Sequence, residues 1–409
     1  MESPPYRPVI LQVLPALDAG GIEQGTIEMA DAIIRAGGTA LVASAGGRLV
    51  PRLRHVGALH LQIDLRSKNP LTILANARRL ARLIADHDVA LVHARSRAPG
   101  WSAALACRRT GIPLVTTWHG VYRENVPGKR RYNAVMASGR RVIAISAFIA
   151  GRLARDYGVG PDRLRLIPRG ADTAWFDPDS VRGPRMQALA EQWGLPDDAA
   201  IVMLPGRITP WKGQALLLDA LARMETAGGC GRNWACVFVG PARTRDRHGQ
   251  ALLRAVEAHP ALRGRVHFAG HCADMPAAFA LADVVVVPSL HPEPFGRVVV
   301  EAQAMARPVI VAAHGAAMET VTDGETGLTV PPGDADALAL AIRHVLAMPP
   351  QDSAALGQAA RASVLAQYTT AAMQYATLVV YDELLGSTLA WQFAATADLT
   401  DTTGSDDAE

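Results

Sequence analysis

The sequence predicts an α/β protein of two doubly wound domains, each a parallel sheet covered by helices on both faces. Three observations carry this prediction. Short apolar runs alternate with helical stretches along almost the whole 409-residue chain, as strands joined by helical crossovers do. The runs fall into two series, separated by residues 172–198, which are rich in Pro, Asp and Gly and show no strand pattern. The opening strand of each series leads into a glycine-bearing loop and then a helix, where backbone amides can meet a phosphate. A chain of this length, apolar in 49% of its residues, has room for two ordinary domains.

In the first series strands are expected at 10–14, 40–44, 59–63, 90–93, 114–117, 142–145 and 164–167. Residues 71–85 read as an amphipathic helix, with Leu71, Leu74, Leu80, Leu83 and Ile84 on one face and Arg78, Arg79 and Arg82 on the other. In the second series strands are expected at 201–204, 236–239, 266–269, 284–287, 309–312 and 328–330. Residues 284–287 are all valine and end at Pro288 and Ser289, the signature of a strand buried on both faces. A last helical stretch, 370–385, lies beyond the second series and is expected to cross back and brace the first domain. The resulting boundaries are 1–180 and 181–368 for the two domains, 369–388 for the crossing helix and 389–409 for a tail. That tail carries Asp398, Asp401, Asp406, Asp407 and Glu409 among Thr and Ala, a composition expected to be disordered.

Composition narrows the function classes. The N-terminal MESPPYRPVI has no basic region before a long apolar one, so no signal peptide is expected. No run approaches the ~20 apolar residues that span a bilayer. The expected location is the cytoplasm, including the inner face of the cytoplasmic membrane. Cys107, Cys230, Cys236 and Cys272 form no CxxC pair, which favours a reducing compartment and argues against structural zinc. His267, His271 and Cys272 cluster at a strand end and read as loop residues, so no metal is expected. Net charge is a modest +3, but between residues 95 and 169 the only acids are Glu124, Asp156 and Asp162, against many arginines.

Four segments carry candidate chemistry, each placed where a parallel sheet binds ligands, at or beyond the carboxyl end of a strand. The first strand runs into Asp18-Ala19-Gly20-Gly21-Ile22-Glu23, which lacks the GxGxxG of a nicotinamide site. His119 ends the VTTWHG strand, in reach of a sugar hydroxyl or a reacting centre. In PGRITPWKG, Arg207 and Lys212 would set two cations over a diphosphate, one as a planar fork and one as a point charge. The fourth segment, HPEPFGRVVVEA, places Glu293 in a loop and Glu301 in the first two turns of the helix that Phe295 and Gly296 open. Both carboxylates could meet one ligand there, with a phosphate on the free amides between them. Each segment alone has a plainer reading: glycines that only shape a turn, solvated cations, or a histidine satisfied by backbone. Their combination suits a nucleotide-sugar site.

Together these residues resemble the retaining glycosyltransferases of the GT-B fold, and within them family four, the group 1 glycosyltransferases. The resemblance runs from Gly20-Gly21 to the C-terminal helix, and the Glu-x7-Glu segment from Glu293 to Glu301 is its specific part. It implies two Rossmann-like domains facing a cleft, an acceptor-side domain at 1–180 and a nucleotide-sugar domain at 181–368. It implies Glu293 beside the donor sugar, Glu301 on the ribose hydroxyls, and Arg207 and Lys212 on the donor diphosphate. Gly20, Gly21 and the amides of Phe295 and Gly296 would meet the same phosphates, and His119 would be the active-site histidine. The implied reaction moves a hexosyl group to an acceptor hydroxyl with retention, by front-face attack in which the leaving phosphate helps take the proton. No metal or other cofactor is then required beyond the nucleotide-diphosphate sugar, because cations and helix-end amides offset the leaving charge. A retaining glycosidase differs, since its two carboxylates flank the bond at ~5 Å and divide acid and nucleophile roles. The chain departs from the family's Ile-Pro-Asn-Gly-Val-Asp in one run, Ile167-Pro168-Arg169-Gly170-Ala171-Asp172, where Arg169 adds a cation.

The segment with Arg123, Lys129, Arg130 and Arg131, interleaved with Tyr122 and Tyr132, lies where the family places its acceptor. A cationic surface there fits an anionic glycolipid, such as a lipopolysaccharide core, or an anionic bilayer; an Arg-rich solvated face is the plain alternative. The chain resembles bacterial enzymes of envelope polysaccharide assembly, and no nucleic-acid partner is expected. Two rival readings keep the fold and change the role: a GT-B nucleotide-sugar epimerase, and a non-catalytic sugar-nucleotide-binding protein.

Overall fold

The computed structural model describes residues 7–18, 20–122, 124–241 and 247–396. It divides into two compact units, Met1–Arg169 with Thr370–Glu409, and Gly170–Thr369.

The first unit holds a parallel sheet of seven strands: β1 (Val9–Val13), β2 (Thr39–Ser44), β3 (Leu59–Gln62), β4 (Val89–Ala94), β5 (Leu114–Trp118), β6 (Arg141–Ala144) and β7 (Leu164–Leu166). Their order is β3-β2-β1-β4-β5-β6-β7. The second unit repeats the plan with six parallel strands: β8 (Ala200–Pro205), β9 (Trp234–Val239), β10 (Val266–Gly270), β11 (Val284–Val287), β12 (Val309–Ala312) and β13 (Leu328–Val330). Their order, β10-β9-β8-β11-β12-β13, is again that of a Rossmann sheet. The winding direction therefore reverses between β1 and β4 in one unit and between β8 and β11 in the other. Every strand lies within two residues of its expected bounds. The reason is physical: strands such as β8 and β11 are buried along their whole length and read as unbroken apolar runs.

Helix faces were less well specified. The helix Pro70–Asp86 buries Ile73, Ala77, Leu80 and Ile84, a stripe at helical spacing. Leu71 and Leu74, expected on that face, are 80% and 45% exposed. Asn69 caps its start by accepting from the amides of Leu71 and Thr72.

Three further features differ from expectation. The first unit ends at Arg169 rather than near 180, because Ala171 donates to the Tyr368 carbonyl at 2.8 Å and pairs with Thr369 inside the second unit. The expected linker also contains a helix, Gly183–Trp193, tied by Arg185 to Asp274 at 2.6 Å. The start of the expected disordered tail is ordered: Leu389–Thr396 is a helix, and Asp382 caps it by accepting from Leu389 and Ala390 at 2.9 and 2.8 Å. Its Phe393 is fully buried in a core shared with Met373, Leu378 and Tyr381 of the helix Thr370–Leu385 and with Ile33 and Leu91. The acidic residues 397–409 lie outside the described residues. Among the described residues no helix is long and apolar enough to cross a membrane.

Candidate functional site

In the second unit the candidate site grows from the ends of β8 and β11, where the strand order reverses. After β8 the chain passes Arg207 and a short 3-10 turn, Pro210–Lys212, before the helix Gln214–Thr226. Gly213 makes the turn possible. Its φ is +81°, and a Cβ there would lie 2.2 Å from the Pro288 carbonyl oxygen just beyond β11. Leu290 donates to the Trp211 carbonyl at 2.7 Å, so the two loops are laced together.

This lacing brings Lys212 to Glu293. The ammonium lies 2.6 Å from Oε1, and the Ser289 hydroxyl donates to the same oxygen at 2.7 Å. Lys212 also sits 4.5 Å from the centroid of the Trp211 ring. Glu293 is 8% exposed, so water screens the pair little. Its backbone is fixed too, since its carbonyl accepts from Ala316 at 3.1 Å and it bridges Gly315 in parallel. His314, which the sequence reading passed over, places its Nε2 2.7 Å from the Ser289 carbonyl and steadies the loop from behind.

Glu301 occupies the second turn of the helix Arg297–Ala304, which Gly296 opens. It pairs with Arg297 at 3.2 Å. Phe295 is buried edge-to-face against Tyr368, with centroids 5.9 Å apart, and so anchors the loop. A small pocket is lined by Ser289, Glu293, Phe295, Gly296, Val299 and His314. Arg207 is exposed, its carbonyl accepting from Gln214 Nε2 at 3.1 Å. The expectation gave Lys212 and Glu293 separate partners on a ligand; the structure bonds them to each other.

In the first unit, Gly20 and Gly21 open the helix Gly21–Arg35 beyond β1. His119 follows β5, and its Nε2 is enclosed without a hydrogen-bond partner. Burial, then the positive fields of Arg169 and Arg95 and the neighbouring His93, push its pKa well below the usual imidazole range. The ring is neutral at physiological pH. His93 is wholly buried, Nδ1 2.7 Å from the Tyr381 hydroxyl and Nε2 2.7 Å from the Thr117 hydroxyl; burial holds it neutral as well. Arg95, directly after β4, donates from Nε to Gln12 Oε1 at 2.7 Å. Arg169 donates to the Gly21 carbonyl at 2.9 Å and pairs with Glu28 at 3.4 Å. Sequence reasoning noted Arg169 without a role and missed Arg95, although its place at a strand end was a usable signal.

Arg123 lies outside the described residues. Lys129, Arg130 and Arg131 share the short helix Lys129–Asn133; Arg130 and Arg131 are exposed and Lys129 is half-buried. Arg130 donates to the Asp156 carbonyl. Other cations of the basic stretch are engaged internally. Arg97 stacks 4.0 Å over the Tyr122 ring and donates to Asn133, and Arg141 and Arg165 converge on Glu383 at 2.7 and 2.8 Å. Among the described residues no group of three or more His, Cys, Asp or Glu side chains is placed to hold a metal ion. All four cysteines are free, and burial raises the Cys107 thiol to about 12.

Comparison with known proteins identifies the family and the fold. Residues 19–175 match the family model described as Glycosyltransferase Family 4, and residues 186–363 match that of Glycosyl transferases group 1. Two relatives are D-inositol 3-phosphate glycosyltransferases. That of Geodermatophilus obscurus is 31% identical over 353 residues, 79% of this chain and 76% of the relative. That of Acidothermus cellulolyticus is 33% identical over 276 residues, 63% of this chain, and the match spans 59% of that relative's length. Among solved structures, a glycosyltransferase from Rickettsia africae is 33% identical with a TM-score of 0.85, covering 93% of this chain and 99% of its own. Anabaena HepE in complex with UDP-glucose is 25% identical with a TM-score of 0.78, covering 91% and 99%.

Proposed function

The chain belongs to the group 1 glycosyltransferases, and on that premise we propose that it moves a hexosyl group from a nucleotide-diphosphate sugar to an acceptor hydroxyl, with retention and without a metal ion. The observation that carries this reading is the enclosed Lys212–Glu293 pair at the reversal of the second sheet. A carboxylate fixed by an ammonium and a hydroxyl is suited to hold sugar hydroxyls in place, not to shuttle protons. The ammonium beside it is suited to a departing phosphate, whose charge grows as the glycosidic bond breaks. An interaction that strengthens in that way raises rate rather than only affinity.

The remaining residues take complementary roles. Arg207 and the amides at the start of the helix Arg297–Ala304 face the diphosphate, and Glu301 holds the ribose. The neutral ring of His119 exchanges a hydrogen bond with a sugar hydroxyl without adding charge. The leaving phosphate accepts the proton of the incoming hydroxyl, so no separate base is needed. The donor class is supported by the UDP-glucose complex of HepE. For the acceptor we propose an anionic envelope glycan or glycolipid, lipopolysaccharide among them, reached by a protein that touches the membrane surface through Lys129, Arg130 and Arg131. The inositol phosphate named for two relatives supports an anionic acceptor.

The test is a panel of UDP-, GDP- and ADP-sugars with the full chain, first by thermal shift and then with D-inositol 3-phosphate and phosphorylated glycolipid acceptors. Nucleoside diphosphate release that needs an acceptor, persists in EDTA and yields a retained anomer is expected. Epimer formation without acceptor would replace transfer by epimerisation. An inverted product would remove retention, and loss of activity in EDTA would remove metal independence.

A further inference from the structure

Arg95 and Arg169 are the only arginines buried among the described residues, 3% and 4% exposed, and both belong to the first unit. A guanidinium is costly to bury unless its charge and its donors are met. The buried acid beside them is Glu28, whose field reaches both. Glu28 pairs with Arg169, and Arg95 feels it only as a more distant field. The donors are also incompletely met: Arg95 Nη2 is enclosed without a hydrogen-bond partner, and so is His119 Nε2. Buried polar atoms are nearly always satisfied, so two such atoms within one electrostatic cluster call for a ligand.

Their position fits one. Arg95 follows β4, its amide donating to the Val13 carbonyl at 3.0 Å, and Arg169 holds the Gly21 carbonyl where the helix after β1 begins. This is the reversal of the first sheet, the place where such sheets bind ligands. The sequence is also adapted to Arg169 there. Gly25 faces its guanidinium so closely that a Cβ would come within 2.4 Å of it.

We infer that Arg95, Arg169 and His119 form an anion-recognition site in the first unit, which takes a phosphate or carboxylate group. Arg95 Nη2 and the His119 ring supply hydrogen bonds, and Arg169 supplies charge at the helix start. The anion has two possible sources, the diphosphate of the donor or an anionic group on the acceptor. Only that question of source rests on the transferase reading; anion binding is measurable without donor or acceptor.

The experiment titrates inorganic phosphate into the full chain by calorimetry and thermal shift. It compares wild type with Arg169→Lys, which keeps a cation beside Glu28 but removes the fork, and with His119→Gln, which leaves both arginines intact. Wild type is expected to bind phosphate, and each variant to bind it at least about tenfold more weakly. Labelled-histidine NMR is expected to show the His119 ring shifting on phosphate addition. Repeating the titration with saturating UDP separates the sources: additive stabilisation assigns the site to an acceptor anion, and mutual exclusion assigns it to the donor diphosphate. Absence of binding at millimolar phosphate, or equal affinity in wild type and both variants, would overturn the site.

Discussion

The ammonium of Lys212 and the carboxylate of Glu293 meet at 2.6 Å, and the Ser289 hydroxyl shares the same carboxylate oxygen. The loops after β8 and β11 thus end on one atom. Removing one partner leaves the other charge enclosed and uncompensated. Lys212→Ala is expected to fold but to lose about 3 kcal/mol of stability and at least about a hundredfold in transfer rate. Lys212→Met with Glu293→Gln should recover most of the stability and none of the activity. Urea denaturation of the single and double variants measures the coupling. A double variant no more stable than Lys212→Ala would show that the pair is not the source of the loss.

Gly213 sets that geometry, and two kinds of cost meet there. Gly158 provides the control: its φ is +64° and a Cβ would touch nothing within 4 Å. Gly158→Ala should cost about 1 kcal/mol, the backbone term alone. Gly213→Ala adds a clash with the Pro288 carbonyl, which is backbone and cannot swing away. It should cost at least about twice as much and weaken nucleotide binding by moving Lys212. Equal urea midpoints for the two variants would contradict this.

The contrast between these glycines shows what the sequence carried and what it did not. The strands were legible because β8 and β11, covered on both faces, cannot tolerate polar residues. Lys212 and Glu293 were legible as loop residues after those strands. Their bond was not, because it depends on how closely Gly213 approaches Pro288, a distance that no local pattern encodes. Arg95 and Glu28 were missed for a related reason: a buried charge looks like a surface charge until its neighbours are known. Leu71 and Leu74 were misassigned because the helix Pro70–Asp86 has more leucines than its buried stripe can use.

Stability should fall on mild acidification. His93 and His119 are held neutral in the folded protein, their pKa values well below those of the unfolded chain. Below the unfolded imidazole pKa of about 6.5, the unfolded state binds protons that the folded state refuses. Their contribution is therefore fully present above that pKa and is lost as pH falls below it. The melting temperature should drop between pH 7 and pH 5.5, and a His119→Gln variant should show a shallower decline. A decline of equal slope in the variant would assign the effect to other groups.

Glu301 offers a prediction that separates binding from chemistry. Its carboxylate is tied to Arg297 one turn back along the helix, 3.2 Å away and largely enclosed. In the proposed role it exchanges that partner for the ribose hydroxyls, far from the bond that breaks. Such an interaction is equally strong in ground and transition states, so its loss raises KM and leaves kcat nearly unchanged. Glu301→Gln is expected to raise the donor KM about tenfold, since a neutral amide replaces a charge-assisted acceptor. The kcat should stay within about twofold of wild type. Lys212→Ala should do the opposite and lower kcat. Steady-state kinetics over a range of donor concentration distinguishes the two patterns, and a fall in kcat at constant KM for Glu301→Gln would place that carboxylate at the reacting centre instead.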